Sequence, residues 1–393
     1  MASSEDCATA LASAEQRFHD RNPKSLEYHQ SAVESLPGGN TRSLLHTAPF
    51  PVVMNRGEGS KLFDLDGHVY EDFVGELTAA IYGHSHPRIK DAMIHVLDNV
   101  GLSLGATNVY EKRYAELLCS RFDIPTVRFA NSGTEANLHC VAAARRFTGR
   151  RKVVVFRGAY HGSVLSFAFG AAANNVDPQD WLVSQYNDAK ALERVFEAHA
   201  DIAAVLHGAV FILDEVMTSR LHPAGLAATL DEAPDMKTFG KYLGGGMPFG
   251  AFGGRRDIMA VYDPRQSSSL AHSGTFQNNT LMLNAGYTGL KEVYTHAAAI
   301  SLNQTGDELR DKLLAVFAGT RFTVTGVGSL MCIHCTTTGV GADEIHCKDD
   351  YWPHDDADLK RLFWLEMLEA GYWIHQRGSQ GILYPAPGIG CQA

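Results

Sequence analysis

Hydrophobic and polar residues alternate along the chain in two different periods. Around Asp66-Gly67, the stretch "LFDLDGHVYEDF" places apolar and polar residues in turn on both sides of the pair, which predicts a β-hairpin. The stretch "HPRIKDAMIHVLDNV" repeats instead at helical spacing, so that Ile89, Met93 and Val96 share one face. Paired strands near the start are therefore followed by an amphipathic helix.

The middle of the chain alternates strand-like and helix-like segments. Apolar runs typical of strands buried on both faces occur in "TVRFAN", "KVVVFRG", "AAVL" and "AVFILDEV", and a helical pattern occurs in "TEANLHCVAAARRF". This alternation predicts an α/β core, with helices flanking a mostly parallel sheet. After about Tyr294 the long apolar runs end, and the pattern predicts a smaller α+β domain.

Composition narrows the class of partner. The chain has 393 residues, of which 45% are hydrophobic and 20% charged, enough for a large core and more than one domain. The formal net charge of −10 argues against a nucleic-acid surface. Small solutes are therefore the expected partners.

Targeting signals and cysteine usage predict a cytosolic protein. The first twenty residues contain Glu5, Asp6 and Glu15 and lack the basic-then-apolar run of a secretory signal. No apolar stretch reaches membrane-spanning length, so we expect no membrane partner. Seven irregularly spaced cysteines fit a reducing compartment better than a disulfide framework.

One group of cysteines and histidines raises the alternative of a metal site. Its members are Cys332, His334, Cys335, His346 and Cys347. The group lacks the paired ligand repeat of zinc sites, and the strand-like stretch "SLMCIHCTT" favours buried thiols. We therefore expect no metal.

Three short stretches carry candidate chemistry at the ends of predicted strands, where ligands bind in open parallel sheets. In "FANSGTEAN", Ser132, Gly133 and Thr134 lie between a strand and a helix, which suits an anion cradle or a simple helix cap. In "VVVFRGAYHGS", Tyr160 either stacks on a planar ligand or closes the core. In "AVFILDEVMTSR", Asp214 follows an apolar run and needs a donor or cation as its partner, unless it caps a helix.

A fourth stretch, "TFGKYLGGGMPFGAFGG", contains a single lysine among apolar residues and glycines. Burial would make the Lys241 amine a nucleophile that forms an imine with a carbonyl, and the alternative is a snorkelling lysine in a glycine-rich turn. A phosphate cradle, a stacking ring, a buried acid and an isolated lysine together indicate pyridoxal 5′-phosphate. Thr275 in "HSGTFQNN" is a further candidate phosphate donor.

These motifs resemble class III aminotransferases of fold type I, in the branch of glutamate-1-semialdehyde aminomutase and β-phenylalanine aminotransferase. The resemblance runs from "LPGGNTRSLL" to the end of the chain. It implies a small domain from 1–75 and 295–393, a large cofactor domain from 76–294, and a homodimer. The implied roles are the Schiff-base lysine for Lys241, the ring-nitrogen partner for Asp214, ring contacts for Tyr160 and Val216, phosphate contacts for Ser132, Gly133 and Thr134, and a phosphate contact from the second subunit for Thr275.

Two motifs resemble the β-amino-acid aminotransferases more than the aminomutase. They are "PGGNTRS" and "DEVMTSR". The resemblance makes Arg42 the candidate clamp for a substrate carboxylate, because a guanidinium can grip it through two bonds; Arg377 is a second candidate or a surface arginine. We expect transamination from a β-amino acid to a 2-oxo acid, with an aminomutase or epimerase as the alternative.

The chain departs from the family pattern between two predicted strands. In "DIAAVLHGAVFILDEV" only His207 and Gly208 separate them, whereas a parallel crossover needs a dozen residues or more. We therefore expect "AAVL" to be displaced, frayed or paired antiparallel as a hairpin. The end at "IGCQA" is also shorter than the resemblance implies. Both departures leave open a catalytically impaired isoform.

Overall fold

The computed structural model describes residues 4–167, 177–205 and 209–376. The chain divides into two compact units. The terminal unit combines Met1–His86 with Ser301–Ala393, and the central unit is Pro87–Ile300. Each unit has its own sheets and core.

Both units contain strands and helices; along the central unit they alternate, as the sequence pattern predicts. The described strands are β1 Met54–Glu58, β2 Lys61–Asp64, β3 Val69–Asp72, β4 Thr126–Ala130, β5 Lys152–Phe156, β6 Trp181–Ser184, β7 Ile202–Val205, β8 Ile212–Asp214, β9 Met236–Gly240, β10 Gly250–Gly254, β11 Phe322–Val327, β12 Leu330–Cys335 and β13 Tyr372–Trp373. The described helices of nine or more residues are α1 Ser4–Arg21, α2 Pro23–Ala32, α3 Pro87–Asn99, α4 Val109–Phe122, α5 Gly133–Thr148, α6 Ala189–Ala198, α7 Thr280–Thr288, α8 His296–Phe317 and α9 Ala357–Glu369. Within these described ranges, no helix is long and apolar enough to cross a membrane.

The central unit is built on a mostly parallel sheet. β5 pairs in parallel with β6 and β7, and β8 pairs in parallel with β9. β10 runs antiparallel between β9 and β4. Among the described residues, one parallel bridge from Val205 to Phe211 links the two parts, which gives the order β6-β5-β7-β8-β9-β10-β4. The predicted α/β architecture is confirmed.

The short connection between β7 and β8 does not displace a strand, so the prediction of a displaced or antiparallel "AAVL" is wrong. β7 stays parallel to β5, and all four of its residues are buried. Residues 206–208 lie outside the described ranges. Within the described ranges, the pairing of β7 towards β8 consists of the one parallel bridge from Val205 to Phe211.

Small side chains on α5 let this helix pack closely on the sheet. Ala136, Cys140, Ala143 and Ala144 recur at helical spacing and are fully buried. The sheet residues in the same core cluster include Val153, Val155, Ile212, Met236 and Phe252. A second cluster joins β5 and β7 to α6, so these strands bury both faces and read as continuous apolar runs.

The terminal unit contains a four-stranded sheet, β1-β2-β3-β13, and the separate hairpin β11-β12. The hairpin predicted around Asp66-Gly67 is confirmed as β2 and β3. Gly67 has a φ of 98°, and Asp64 Oδ1 accepts the N–H groups of Gly67 and His68 at 2.7 and 2.8 Å. This carboxylate fixes the turn and therefore the strand register.

The cysteines of the hairpin β11-β12 are protonated thiols. Burial raises the pKa of Cys332 and of Cys335 to about 12. Burial also lowers the pKa of His334 to about 4, and its Nε2 lies 2.8 Å from Thr325 Oγ1. Cys335 is buried, as the sequence predicts, whereas Cys332 is half-buried.

Candidate active site

The candidate residues of the central unit meet at one edge of its sheet. The last residues of β4 and β9 both pair with Gly250, the first residue of β10. β8 ends at Asp214, which pairs with Thr238 of β9. Ser132 lies two residues after the end of β4, and Lys241 directly follows β9. The topology therefore brings the cradle, the acid and the lysine to the edge where α/β sheets bind ligands.

Four donors hold the Asp214 carboxylate. Its Oδ2 accepts hydrogen bonds from His161 Nδ1 at 2.8 Å and from Asn137 Nδ2 at 2.9 Å. Its Oδ1 accepts from the backbone N–H of Val216 at 3.0 Å and shares the one proton of the Thr238 hydroxyl, at 3.3 Å, with Asn137 Oδ1. Burial acts to raise the pKa of Asp214, but the hydrogen bond and charge of His161, with the other donors, bring it below its ordinary value. Asp214 is an ionised, oriented carboxylate at neutral pH.

Asn137 and Thr238 belong to this network, and the sequence analysis assigned neither. Asn137 Nδ2 also donates to the carbonyl of His161 at 3.1 Å, and Asn137 Oδ1 accepts the Thr238 hydroxyl at 2.8 Å. Two features of the sequence could have identified these residues. Asn137 lies one helical turn after Gly133, and Thr238 occupies the strand that ends at the lysine.

The N-terminus of α5 presents backbone donors beside the carboxylate network. Ser132 is the N-cap residue, and its Oγ accepts the N–H of Glu135 at 3.2 Å, so the capping alternative is realised. The N–H groups of Gly133 and Thr134 have no acceptor within the helix. Together with the helix dipole, they suit an anion.

Glycines allow the backbone at this edge of the sheet to lie close to the side chains of Val216 and Thr134. A Cβ at Gly133 would lie 2.8 Å from Val216 Cγ2, and one at Gly240 would lie 3.1 Å from Val216 Cγ1. A Cβ at Gly162 would lie 2.1 Å from Thr134 Oγ1. The Val216 side chain therefore packs between Gly133, which precedes Thr134, and Gly240, which precedes Lys241.

Lys241 occupies a strained position. It begins the 3₁₀ turn Lys241–Gly244 directly after β9, and its φ is +54°. Positive φ is uncommon for a non-glycine residue and concentrates at functional sites. Lys241 is half-buried, whereas the neighbouring Lys237 is buried and donates to the Phe122 carbonyl at 2.7 Å.

Two further candidates lie at the surface of the central unit. Tyr160 is 63% exposed, so it does not close the core. Thr275 is exposed in the loop before α7, next to Phe276, which is also 63% exposed. Both side chains are accessible to a ligand or to another subunit.

Arg42 belongs to the terminal unit, where its Nη1 lies 2.6 Å from Glu76 Oε1. Both residues line a cavity of about 430 Å³ whose wall also contains Trp364 and Trp373. Arg377 lies outside the described residues.

The sequence of the chain matches the model of one protein family over most of its length. The model described as aminotransferase class-III matches residues 45–179 and 189–387. The chain belongs to the class III aminotransferases. This aminotransferase is therefore an enzyme of fold type I, as its motifs predict.

Several aminotransferases are similar to it over most of their length. An uncharacterised aminotransferase of Schizosaccharomyces pombe is 47% identical over 401 residues, which cover 95% of this chain and 90% of the relative. A β-phenylalanine transaminase of Variovorax paradoxus is 44% identical, covering 94% and 90%. The solved β-phenylalanine aminotransferase structure from that organism superposes with a TM-score of 0.91, at 42% identity, covering 97% of this chain and 93% of the other.

Pyridoxal 5′-phosphate is the cofactor of this aminotransferase, and the site fits it. A transaminase structure with this cofactor bound has a TM-score of 0.81 and 28% identity, covering 94% of each chain. In the present chain, the ionised Asp214 matches a protonated ring nitrogen. The N–H groups of Gly133 and Thr134 match a phosphate.

Proposed function

We propose that this aminotransferase moves the amino group of a β-amino acid with an aromatic side chain to a 2-oxo acid. The observation that carries the proposal is the position of Arg42 on the wall of a cavity that also contains the half-buried Trp373. A guanidinium binds a carboxylate through paired hydrogen bonds, and indole rings suit an aromatic side chain. The similarity to the Variovorax paradoxus β-phenylalanine aminotransferase, in sequence and in structure, supports the same donor. Arg377 is a second candidate for a carboxylate contact.

We propose that Lys241 provides the amine that attaches the cofactor and then moves the proton at the amine-bearing carbon of the substrate. When bound, pyridoxal 5′-phosphate supplies an aldehyde for the substrate amine and a ring that takes up the electron pair at that carbon. Asp214 keeps the proton on the ring nitrogen through a charge-assisted hydrogen bond. When the cofactor is bound, Tyr160 and Val216 would contact the two ring faces, and Ser132, Gly133 and Thr134 would hold the phosphate.

Labelling of the full-length protein tests the role of Lys241. Incubation with pyridoxal 5′-phosphate, borohydride reduction and peptide mass spectrometry should place the cofactor mass on Lys241. Lys241→Ala should lose the label and the visible absorbance of the bound cofactor, whereas the neighbouring Lys237→Met should keep both. Undiminished labelling of Lys241→Ala would remove this lysine from its role. Failure of the wild type to saturate at micromolar cofactor would support the impaired-isoform hypothesis.

The amino acceptor separates transamination from its alternative. Incubation with β-phenylalanine and 2-oxoglutarate should form glutamate, and omission of 2-oxoglutarate should stop turnover. Product formed without an acceptor would instead favour an intramolecular aminomutase or epimerase.

We propose a homodimer in which Thr275 contacts the phosphate held by the other subunit. Its loop is joined to a second loop by hydrogen bonds from Thr280 Oγ1 to the Gly101 carbonyl at 2.6 Å and from Asn278 Nδ2 to the Ala106 carbonyl at 3.1 Å. Both loops expose apolar side chains, which are Leu102, Leu104 and Phe276. Exposed apolar surface of this kind favours a protein interface.

Sedimentation of the holoenzyme tests the dimer. Phe276→Glu should weaken both dimerisation and cofactor binding, whereas Val316→Glu, at a residue 71% exposed on α8, should change neither. A wild-type monomer that binds the cofactor fully would contradict the proposal.

We also propose a cytosolic location. The six cysteines in the described ranges are all free, which is typical of a reducing compartment. Fractionation of the source cells should recover the protein with cytosolic markers.

A further inference from the structure

The turn Gly75–Thr78 in the terminal unit is left-handed throughout. The φ angles of Gly75, Glu76, Leu77 and Thr78 are 49°, 52°, 54° and 78°. In L-residues this conformation crowds Cβ against the following carbonyl, so it normally occurs at single residues and mostly at glycine. A run of three non-glycine residues is strained backbone and needs a reason.

Hydrogen bonds from neighbouring residues hold this turn in place. Asp72 Oδ1 accepts the N–H groups of Val74 and Gly75, both at 2.9 Å. Asp72 Oδ2 lies 3.0 Å from His84 Nε2, and His84 is itself paired with Gly59 through both backbone bonds. The turn is therefore anchored to the sheet at its start, and the strain persists because the surroundings fix it.

The turn carries Glu76 to Arg42. The two side chains are 55% and 46% exposed, and an ion pair with this exposure contributes little to stability. Stability of the pair therefore does not account for the strain. This contact engages Nη1, whereas a guanidinium offers five N–H donors on three nitrogens, so Arg42 retains donors for a second carboxylate.

We propose that Glu76 is a specificity-determining residue that competes with the substrate carboxylate for Arg42. This inference rests on the proposed role of Arg42 as the carboxylate clamp. Without substrate, the Glu76 carboxylate neutralises the guanidinium. A substrate carboxylate adds a second negative charge to the same cation, so Glu76 weakens its binding. An amine without a carboxylate leaves the Arg42–Glu76 pair intact, so Glu76 lets the cavity accept such amines without an uncompensated cation.

Glu76→Gln tests the competition, because it removes the charge but keeps the shape of the side chain. In the holoenzyme, the KM for β-phenylalanine and the Kd for 3-phenylpropanoate should fall about twofold to fivefold, the range for an exposed ion pair. The kcat should stay unchanged, whereas the KM for 1-phenylethylamine should rise, because Glu76→Gln leaves the Arg42 charge uncompensated when the bound amine has no carboxylate. Glu58→Gln is the matched control, since Glu58 forms an exposed ion pair with Arg56 at 2.8 Å and does not line the cavity.

The outcomes separate this inference from the proposed function. A higher KM for β-phenylalanine in Glu76→Gln would mean that Glu76 supports Arg42 rather than competing with the substrate, and would overturn the inference. An unchanged KM in Glu76→Gln together with a raised KM in Arg42→Gln would overturn the inference and leave the carboxylate clamp standing. An unchanged KM in Arg42→Gln would overturn the clamp itself, and the inference with it.

Discussion

Thr238→Val should destabilise the central unit although it keeps the volume and the strand preference of the residue. Thr238 is fully buried, and its hydroxyl donates to Asn137 Oδ1 at 2.8 Å. Loss of this bond leaves the Asn137 oxygen buried without a donor, which costs about 1–3 kcal/mol. A flip of the amide would not relieve it, because the oxygen would then face the Asp214 carboxylate. We therefore expect a loss of about 1–3 kcal/mol in the free energy of unfolding.

Urea unfolding of the full-length protein, followed by tryptophan fluorescence, measures this loss from the midpoint at equal m values. The matched control is Thr126→Val on β4 of the same sheet, where the hydroxyl lies 3.4 Å from the Gly254 carbonyl and the residue is half-buried. The control should change stability by less than about 0.5 kcal/mol. Equal effects of the two substitutions would refute the importance of the Asn137 network.

Three further outcomes are expected. Gly133→Ala should lower the cofactor affinity, measured by calorimetry, and lower the free energy of unfolding, measured in urea, by about 1–3 kcal/mol, because the added methyl overpacks against Val216. Adding Val216→Ala should partly restore both quantities. Strictly additive effects of the two substitutions would contradict the contact. Burial, aided by the charge of His139, lowers the pKa of His272 to about 4, below the value of about 6.5 in the unfolded chain. The stability from neutral His272 is therefore present above pH 6.5 and is lost as the pH falls towards 4, so urea midpoints of His272→Gln should fall less over this range than those of the wild type; parallel curves would exclude the effect. A helix-length insertion between residues 206 and 209 should raise the melting temperature and the cofactor affinity together, and a scan without a shift would show that the short connection is not limiting.

The fold was predictable where side chains report burial directly. Runs such as "KVVVF" revealed β5, because a strand covered on both faces is apolar throughout. β10 carried no such signal, since four of its five residues are glycine or alanine. Its glycines are explained by neighbouring backbone instead: a Cβ at Gly253 would lie 2.2 Å from the Thr126 carbonyl oxygen. The atom that requires a glycine lies on the neighbouring strand β4, so the sequence of β10 alone does not reveal the reason.

The site was predictable to the extent that strand ends determine it. Asp214 stood out because an acid after an apolar run needs a partner, but its observed partners come from three other segments, through His161, Asn137 and Thr238. The prediction that β7 is displaced was wrong for a different reason. The prediction rested on the short connection and on the small side chains of "AAVL", whereas burial of β7 and its pairing with β5 keep it in place. In the described residues, only the pairing towards β8 is short.

In the part of the chain that the structure describes, one bridge, between Val205 and Phe211, joins the two halves of the sheet, which allows the halves to open at different times. A continuous ladder opens cooperatively, but strands joined by one bridge can exchange their amide protons as separate units. β6, β5 and β7 would then form one such unit, and β8, β9, β10 and β4 another. Asp214 and Lys241 fall in the second unit with the N-terminus of α5, so a transient opening of the first could leave the cofactor-binding edge folded.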